Sequence, residues 1–276
     1  MEVLSSHGLF KVIASYLPGL PLCEWTDGNK AVTLGHLEIC KNQPKLVFTK
    51  RAIDFAVRNG HLNVLKWLYE NKIGELSFMT WDFAAKGGYT DILRFLHCNH
   101  NHYGSSNALD WAAAYGHLDT ARFLLCEAKV GYGSTYGMNQ AAKEGFLNIV
   151  QLLHEHGKAG CTYHAMDEAS KNGHLEIVNF LHQHRSEGCS TAAMDFAATN
   201  GHFDIVIFLH SHRSEGCSPK ALKGAAINGH FHIVKHLEAI IPWPNDPSLV
   251  DGAATNGHLD MVQYLSAHGL PCSTQA

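Results

Sequence analysis

The sequence predicts an all-α fold, a solenoid of about nine helix-turn-helix units, and three observations carry that reading. A glycine recurs along the chain, at Gly35, Gly60, Gly88, Gly116, Gly145, Gly173, Gly201, Gly229 and Gly257, in steps of 25, 28, 28, 29, 28, 28, 28 and 28 residues. Apolar columns keep register with it. Alanine stands four before every one of these glycines, from Ala31 to Ala253, and leucine stands eight after all but the first, from Leu68 to Leu265. Between them the apolar residues follow helical spacing, with no alternation of the kind a strand needs. Self-similarity at a period of this length is the signature of a stacked repeat.

The unit 189–216, CSTAAMDFAATNGHFDIVIFLHSHRSEG, illustrates the elements in order. Met194, Ala197 and Ala198 lie at i, i+3 and i+4, one stripe of a short helix. Asn200-Gly201 ends it, because glycine enters the left-handed C′ conformation without steric cost. Ile205, Val206, Phe208 and Leu209 then form a broad apolar stripe on a second, longer helix. A loop containing Gly216 follows. The next unit opens at Ser218-Pro219, a capping hydroxyl before proline at the first helical position. Alanines on the short helix allow close approach while large residues widen the other side. Stacked wedges of this kind should curve, with the short helices on the concave face.

At these residues the chain resembles ankyrin repeats. AATNGHFDIVIFLH (197–210) follows the family's Ala-Ala, variable pair, Gly-His and Leu-rich helix end, and close variants recur over about 30–276. The family's Thr-Pro-Leu-His start is replaced by stretches such as AAMD (192–195) and LDWA (109–112). The unit is also 28 residues long where the family norm is ~33, so short or absent β-hairpins are expected. The resemblance implies a non-enzymatic protein-binding role. We place the repeat domain at 25–276 and an N-terminal capping helix within 1–24, built on Leu9, Phe10, Val12, Ile13 and Leu17, since an open array needs its end covered. The stretch LFKVIASYLPGL (9–20) also bears a faint resemblance to the first helix of an F-box, which would make the chain a substrate-recognition subunit of a ubiquitin ligase.

Composition excludes several classes. The chain of 276 residues is 46% hydrophobic, enough to fill a core and to set aside global disorder. Formal net charge is −4 with 21 Lys plus Arg, so the clustered cations of a nucleic-acid binder or an anionic-membrane binder are not expected. No secretory signal or membrane span is read in the sequence. Eight scattered Cys do not make a disulfide scaffold in a chain this long, which points to the cytoplasm or nucleus. We expect a monomer with a protein partner.

Catalytic, metal and cofactor sites are expected to be absent. No phosphate loop, nucleophile elbow or carboxylate pair stands outside the repeat columns. Histidine is abundant at 21 residues. The Gly-His columns are expected to hydrogen-bond neighbouring turns. His154/His156, His182/His184 and His210/His212 point apart on a helix and read as solvated helix ends. His97, Cys98, His100 and His102, and the pair His232/His236, supply no recognised four-ligand zinc spacing. A metal-binding or hydrolytic protein is thus a remote alternative. Cys161, Cys189 and Cys217 share one loop column and read as small hydrophobes. Asp54, Asp82, Asp110, Asp167, Asp195 and Asp251 stand six before the glycine. They read either as first-turn anions favoured by the helix dipole or as an acidic stripe for a basic partner.

The candidate partner-binding positions are those the repeat leaves variable on the short helix: five, two and one before the glycine. They are Phe55, Phe83, Lys86, Trp111, Tyr115, Gln140, Lys143, Glu144, Glu168 and Lys171. In the ankyrin family the position five before the glycine faces the concave groove, so Phe55, Phe83 and Trp111, with Tyr115 beside them, would form an apolar patch that anchors a partner. The alternative is that these aromatics fill space left by the shortened hairpins. The function expected is an adaptor or scaffold holding a protein in the concave groove.

Overall fold

The computed structural model describes residues 26–99, 105, 107–129, 131–244 and 246–273. Among the described residues are eighteen α-helices and no strand; Asp27 and Val47 form one isolated parallel bridge. The fold class is that of a helical repeat solenoid, as the columns predict. Segment 3–22, read above as a cap or an F-box-like helix, lies outside the described residues.

The chain divides into two compact units, Met1–Gly133 and Ser134–Ala276. In the first, described helices pair as Gly28–Thr33 with Leu37–Asn42, Ala52–Arg58 with Leu62–Glu70, Thr80–Lys86 with Thr90–Asn99, and Asn107–Ala114 with Leu118–Arg122. In the second the pairs are Thr135–Lys143 with Leu147–His156, Tyr163–Lys171 with Leu175–His184, Thr191–Thr199 with Phe203–His212, Pro219–Ile227 with Phe231–Leu237, and Ser248–Thr255 with Leu259–Ala267. Each pair is one glycine-anchored repeat. The repeat with the 29-residue step is the one whose second helix opens into a π turn, Phe123–Glu127, with the Ala128 amide bonded to the Phe123 carbonyl at 2.9 Å.

Every first helix ends the same way. In the Gly173 repeat the Gly173 amide donates to the Ser170 carbonyl and the His174 amide to the Ala169 carbonyl, the two bonds of a Schellman motif. That requires a positive φ, which is +81° at Gly173 and +84° at Gly201. Four of the five first helices of the second unit start on hydroxyls: Ser134, Thr162, Ser190 and Ser218 each accept a backbone N–H two residues on. The cap expected at Ser218-Pro219 is present.

Repeats are joined by two hydrogen-bonded ladders. The last carbonyls of a helix have no partner within it, and the next repeat supplies one. The Lys171 carbonyl accepts from Asn200 Nδ2 at 2.7 Å and His202 Nε2 at 3.1 Å, and the Thr199 carbonyl from Asn228 at 2.9 Å and His230 at 3.1 Å. His61 and His117 make the same bond in the first unit, to Thr33 and Lys86. A carbonyl only accepts, so Nε2 carries the hydrogen. Burial lowers the His230 pKa, which favours that neutral form. The Gly-His column thus bonds the neighbouring turn, as expected from sequence.

The second ladder corrects the reading of the aspartates. Asp54, Asp82, Asp110, Asp167 and Asp195 are buried, so they present no acidic stripe. Asp195 accepts from the Ser218 amide at 2.8 Å and hydroxyl at 2.6 Å, and Asp167 from the Ser190 amide and hydroxyl at the same distances. Asp54 takes Ser77 and Thr80 hydroxyls, and Asp82 takes Ser105. First-turn placement holds for Asp54, Asp82, Asp110 and Asp251 and fails for Asp167 and Asp195, because their helices start at Tyr163 and Thr191, one turn earlier. Burial raises the Asp82 pKa against the lowering effect of Ser105.

Apolar columns fill the space between the ladders. Ala169, Ala197 and Ala225 are fully buried, as are Val178, Val206 and Val234, with Leu181 and Leu209 at 1% exposure. Glycine is required twice over at Gly201: a Cβ there would stand 2.7 Å from the His230 ring in addition to the positive φ. Gly257 has a φ of +79° with no described atom within 4 Å of such a Cβ. Gly257→Ala is therefore expected to cost only the backbone strain, about 1–2 kcal/mol. Gly201→Ala should cost about 1 kcal/mol more, through the displaced His230 bond. Urea denaturation of both variants checks this; equal losses would mean the His230 ring moves aside freely.

Candidate protein-binding face

The positions five and two before the glycine come together across repeat boundaries. In the first unit the Arg58 guanidinium lies over the Phe83 ring at 4.5 Å. Lys86 Nζ lies over Trp111 at 5.1 Å and over Tyr115 at 5.0 Å. Trp111 and Tyr115 are themselves in contact, ring centroids 6.0 Å apart. Arg51 lies 5.9 Å from the Phe55 ring. Each such contact at an exposed site is worth about 0.5–1 kcal/mol. Phe55, Phe83 and Trp111 are half-buried, and Tyr115 is 48% exposed. The aromatics thus rest on their own helices while keeping one face or edge in solvent.

The second unit carries the charged half of the predicted set. Lys143 pairs with Glu144 at 3.2 Å, and Lys171 with Glu168 at 3.9 Å. Lys171 also lies over Phe196 at 5.1 Å. Gln140 is half-buried. Arg58 and Phe196 belong to this arrangement and were missed in choosing site positions. The constant separation of twenty-five residues in Arg58–Phe83, Lys86–Trp111 and Lys171–Phe196 is the signal that would have found them.

Other constellations are packed into the framework. His97 meets Trp81 and Phe123 edge-on, and Cys98 is exposed; His100 and His102 lie outside the described residues. His154 and His182 are not the solvated ends expected. Their rings pack edge-to-face on Phe180 and Phe208 of the following repeats, at 5.5 Å in each case. His210 and His236 meet at 5.1 Å. Among the described residues no three His, Cys, Asp or Glu converge as a metal site. Burial pushes the Cys161 thiol up to about 11 and Cys189 to about 12, away from the thiolate form a nucleophile needs. A cavity of about 1050 Å³ lies in the first unit beside Tyr69, Ile73, Phe78 and Trp81, and none of the predicted binding residues lines it.

Paired helices joined boundary by boundary, with variable residues displayed on the short ones, define a repeat-built interaction fold. The family model for ankyrin repeats matches residues 54–134 and 166–239, in three copies, and the chain belongs to the ankyrin-repeat family. Its fold is similar to that of the human ASB11 ankyrin repeat domain, at 22% sequence identity and a TM-score of 0.52, over 67% of this chain and 96% of that one. No curated protein matches the chain significantly. Ankyrin repeats mark a protein–protein interaction domain, typically a non-enzymatic one. No helix among the described residues is long and apolar enough to cross a membrane.

Proposed function

We propose that this protein is an adaptor or scaffold that binds a protein partner along the face of its short helices. The observation that supports the reading most is the Trp111–Tyr115 pair. It combines two large rings, partly open to solvent, with a cation seated on them. Tyr and Trp dominate interface hot spots because they bury much area with little rotamer entropy to lose.

The test starts from a partner captured by proximity labelling and confirmed with purified proteins. Trp111→Ala and Tyr115→Ala should each weaken its binding at least about tenfold, or about 1.4 kcal/mol, with helicity by circular dichroism unchanged. Lys66→Ala, at an exposed position on a second helix, should leave affinity unchanged. If Trp111→Ala unfolds the protein while the folded fraction binds normally, the aromatics serve packing and the binding face lies elsewhere.

A further inference from the structure

We propose that the first compact unit binds an acidic peptide segment, which lays an apolar side chain against Trp111 and Tyr115 and sets carboxylates on Arg58 and Lys86. The inference rests on the short-helix face being the binding face, and it names the chemistry of what binds there. Both cations already lie on aromatic rings, Arg58 on Phe83 and Lys86 on Trp111 and Tyr115. A ring engages one side of a cation and leaves its outward donors open. Among the described residues neither cation has a carboxylate within ion-pair distance. Asp54 and Asp82 stand one helical turn before Arg58 and Lys86, but both are buried and occupied by the hydroxyls of Ser77, Thr80 and Ser105.

The second unit provides the contrast. Lys143 and Lys171 hold the same column position as Arg58 and Lys86, and each has its own carboxylate, Glu144 and Glu168. One chain thus carries the same column twice, once neutralised and once left positive, in a protein whose net charge is −4. Seating on a ring also restricts a long side chain beforehand, so less rotamer freedom is lost when a carboxylate arrives. The positive, aromatic half is therefore complementary to an anionic segment with an apolar residue. Repeats spaced roughly 8–10 Å apart place the Arg58 and Lys86 positions within reach of an extended peptide of about six to eight residues.

The experiment selects binders to the full chain from a displayed library of random peptides of about twelve residues. Affinity of the enriched peptide is then measured for wild type, the double variant Arg58→Gln/Lys86→Gln, Trp111→Ala and Lys66→Gln. The enriched sequences are expected to be rich in Asp and Glu around one large apolar residue. Replacing their acids by amides, or introducing Arg58→Gln/Lys86→Gln, should weaken binding at least about tenfold, 1.4 kcal/mol. Lys66→Gln, at an exposed position on a second helix, should change nothing, and affinity should fall as salt rises from about 50 to 200 mM. Neutral or basic winners, no enrichment, or indifference to Arg58→Gln/Lys86→Gln each overturn the proposal. So does tighter binding of a single-stranded oligonucleotide or of vesicles of equimolar phosphatidylcholine and phosphatidylserine than of the acidic peptide. A neutral peptide lost with Trp111→Ala would sink the acidic class alone and leave the face standing. An acidic peptide indifferent both to Trp111→Ala and to Arg58→Gln/Lys86→Gln would sink the face itself.

Discussion

Truncation of Leu209 to Ala is expected to destabilise the second unit by on the order of 2–5 kcal/mol, the range for buried leucines whose cavity does not collapse. Leu209 is 1% exposed, in the column filled by Leu181 and Leu237 in the repeats on either side. Ile207→Ala, on the same helix at 40% exposure, should cost less, about 1 kcal/mol, since a large share of its apolar area already meets water. In a stacked array each repeat leans on its neighbours, so the loss is shared between the Gly173, Gly201 and Gly229 repeats. Denaturant midpoints read its size. Amide exchange reads its location, since a repeat array need not unfold in one step. Equal losses for Leu209→Ala and Ile207→Ala would contradict the burial of this column.

Asp195→Ala should rank next, at on the order of 3 kcal/mol, because it orphans two donors at a part-buried boundary, the Ser218 amide and hydroxyl. Asp195→Asn is the informative companion. The Gly145 repeat already uses an amide at the equivalent position: Asn139 Oδ1 accepts the Thr162 amide at 3.0 Å and its Nδ2 donates to the Thr162 hydroxyl at 2.9 Å. Asn at 195 should therefore recover most of the stability that Ala loses. The Gly229 repeat solves the same joint with opposite charge, Lys223 donating to Asp246 at 2.5 Å. If Asn and Ala were equally damaging, the ladder would depend on the charge of Asp195 instead of its acceptor geometry.

Much of this architecture is legible in the sequence because its determinants are local. Gly201, Ala197 and Leu209 declare turn, close contact and core through spacing alone. What the sequence reading missed lies across boundaries. Asp195 looked like a helix-dipole residue because its partner Ser218 is 23 residues away, and of the serines at 77, 105, 190 and 218 only Ser218 was singled out, as a cap. The acceptor for His202 is a main-chain carbonyl, which leaves no trace in residue identity. Lys86 and Trp111 were chosen as separate variable positions, although one sits on the other. The question of whether the aromatics were core or surface had a mixed answer, because a ring stacked under a cation is partly both.

The two ladders also bear on how such a chain can change length. Two successive joints of the second unit are chemically interchangeable: Asp167 meets Ser190 as Asp195 meets Ser218, and the Lys171 carbonyl is held as the Thr199 carbonyl is. Excising residues 190–217 would bring Asp167 to Ser218 and place Asn228 and His230 over the Lys171 carbonyl, so that both ladders close again. Unequal recombination in whole modules is then nearly silent for folding, whereas loss of a few residues breaks both contacts at once. The protein can gain or shed display positions on its short helices without redesigning the frame that carries them.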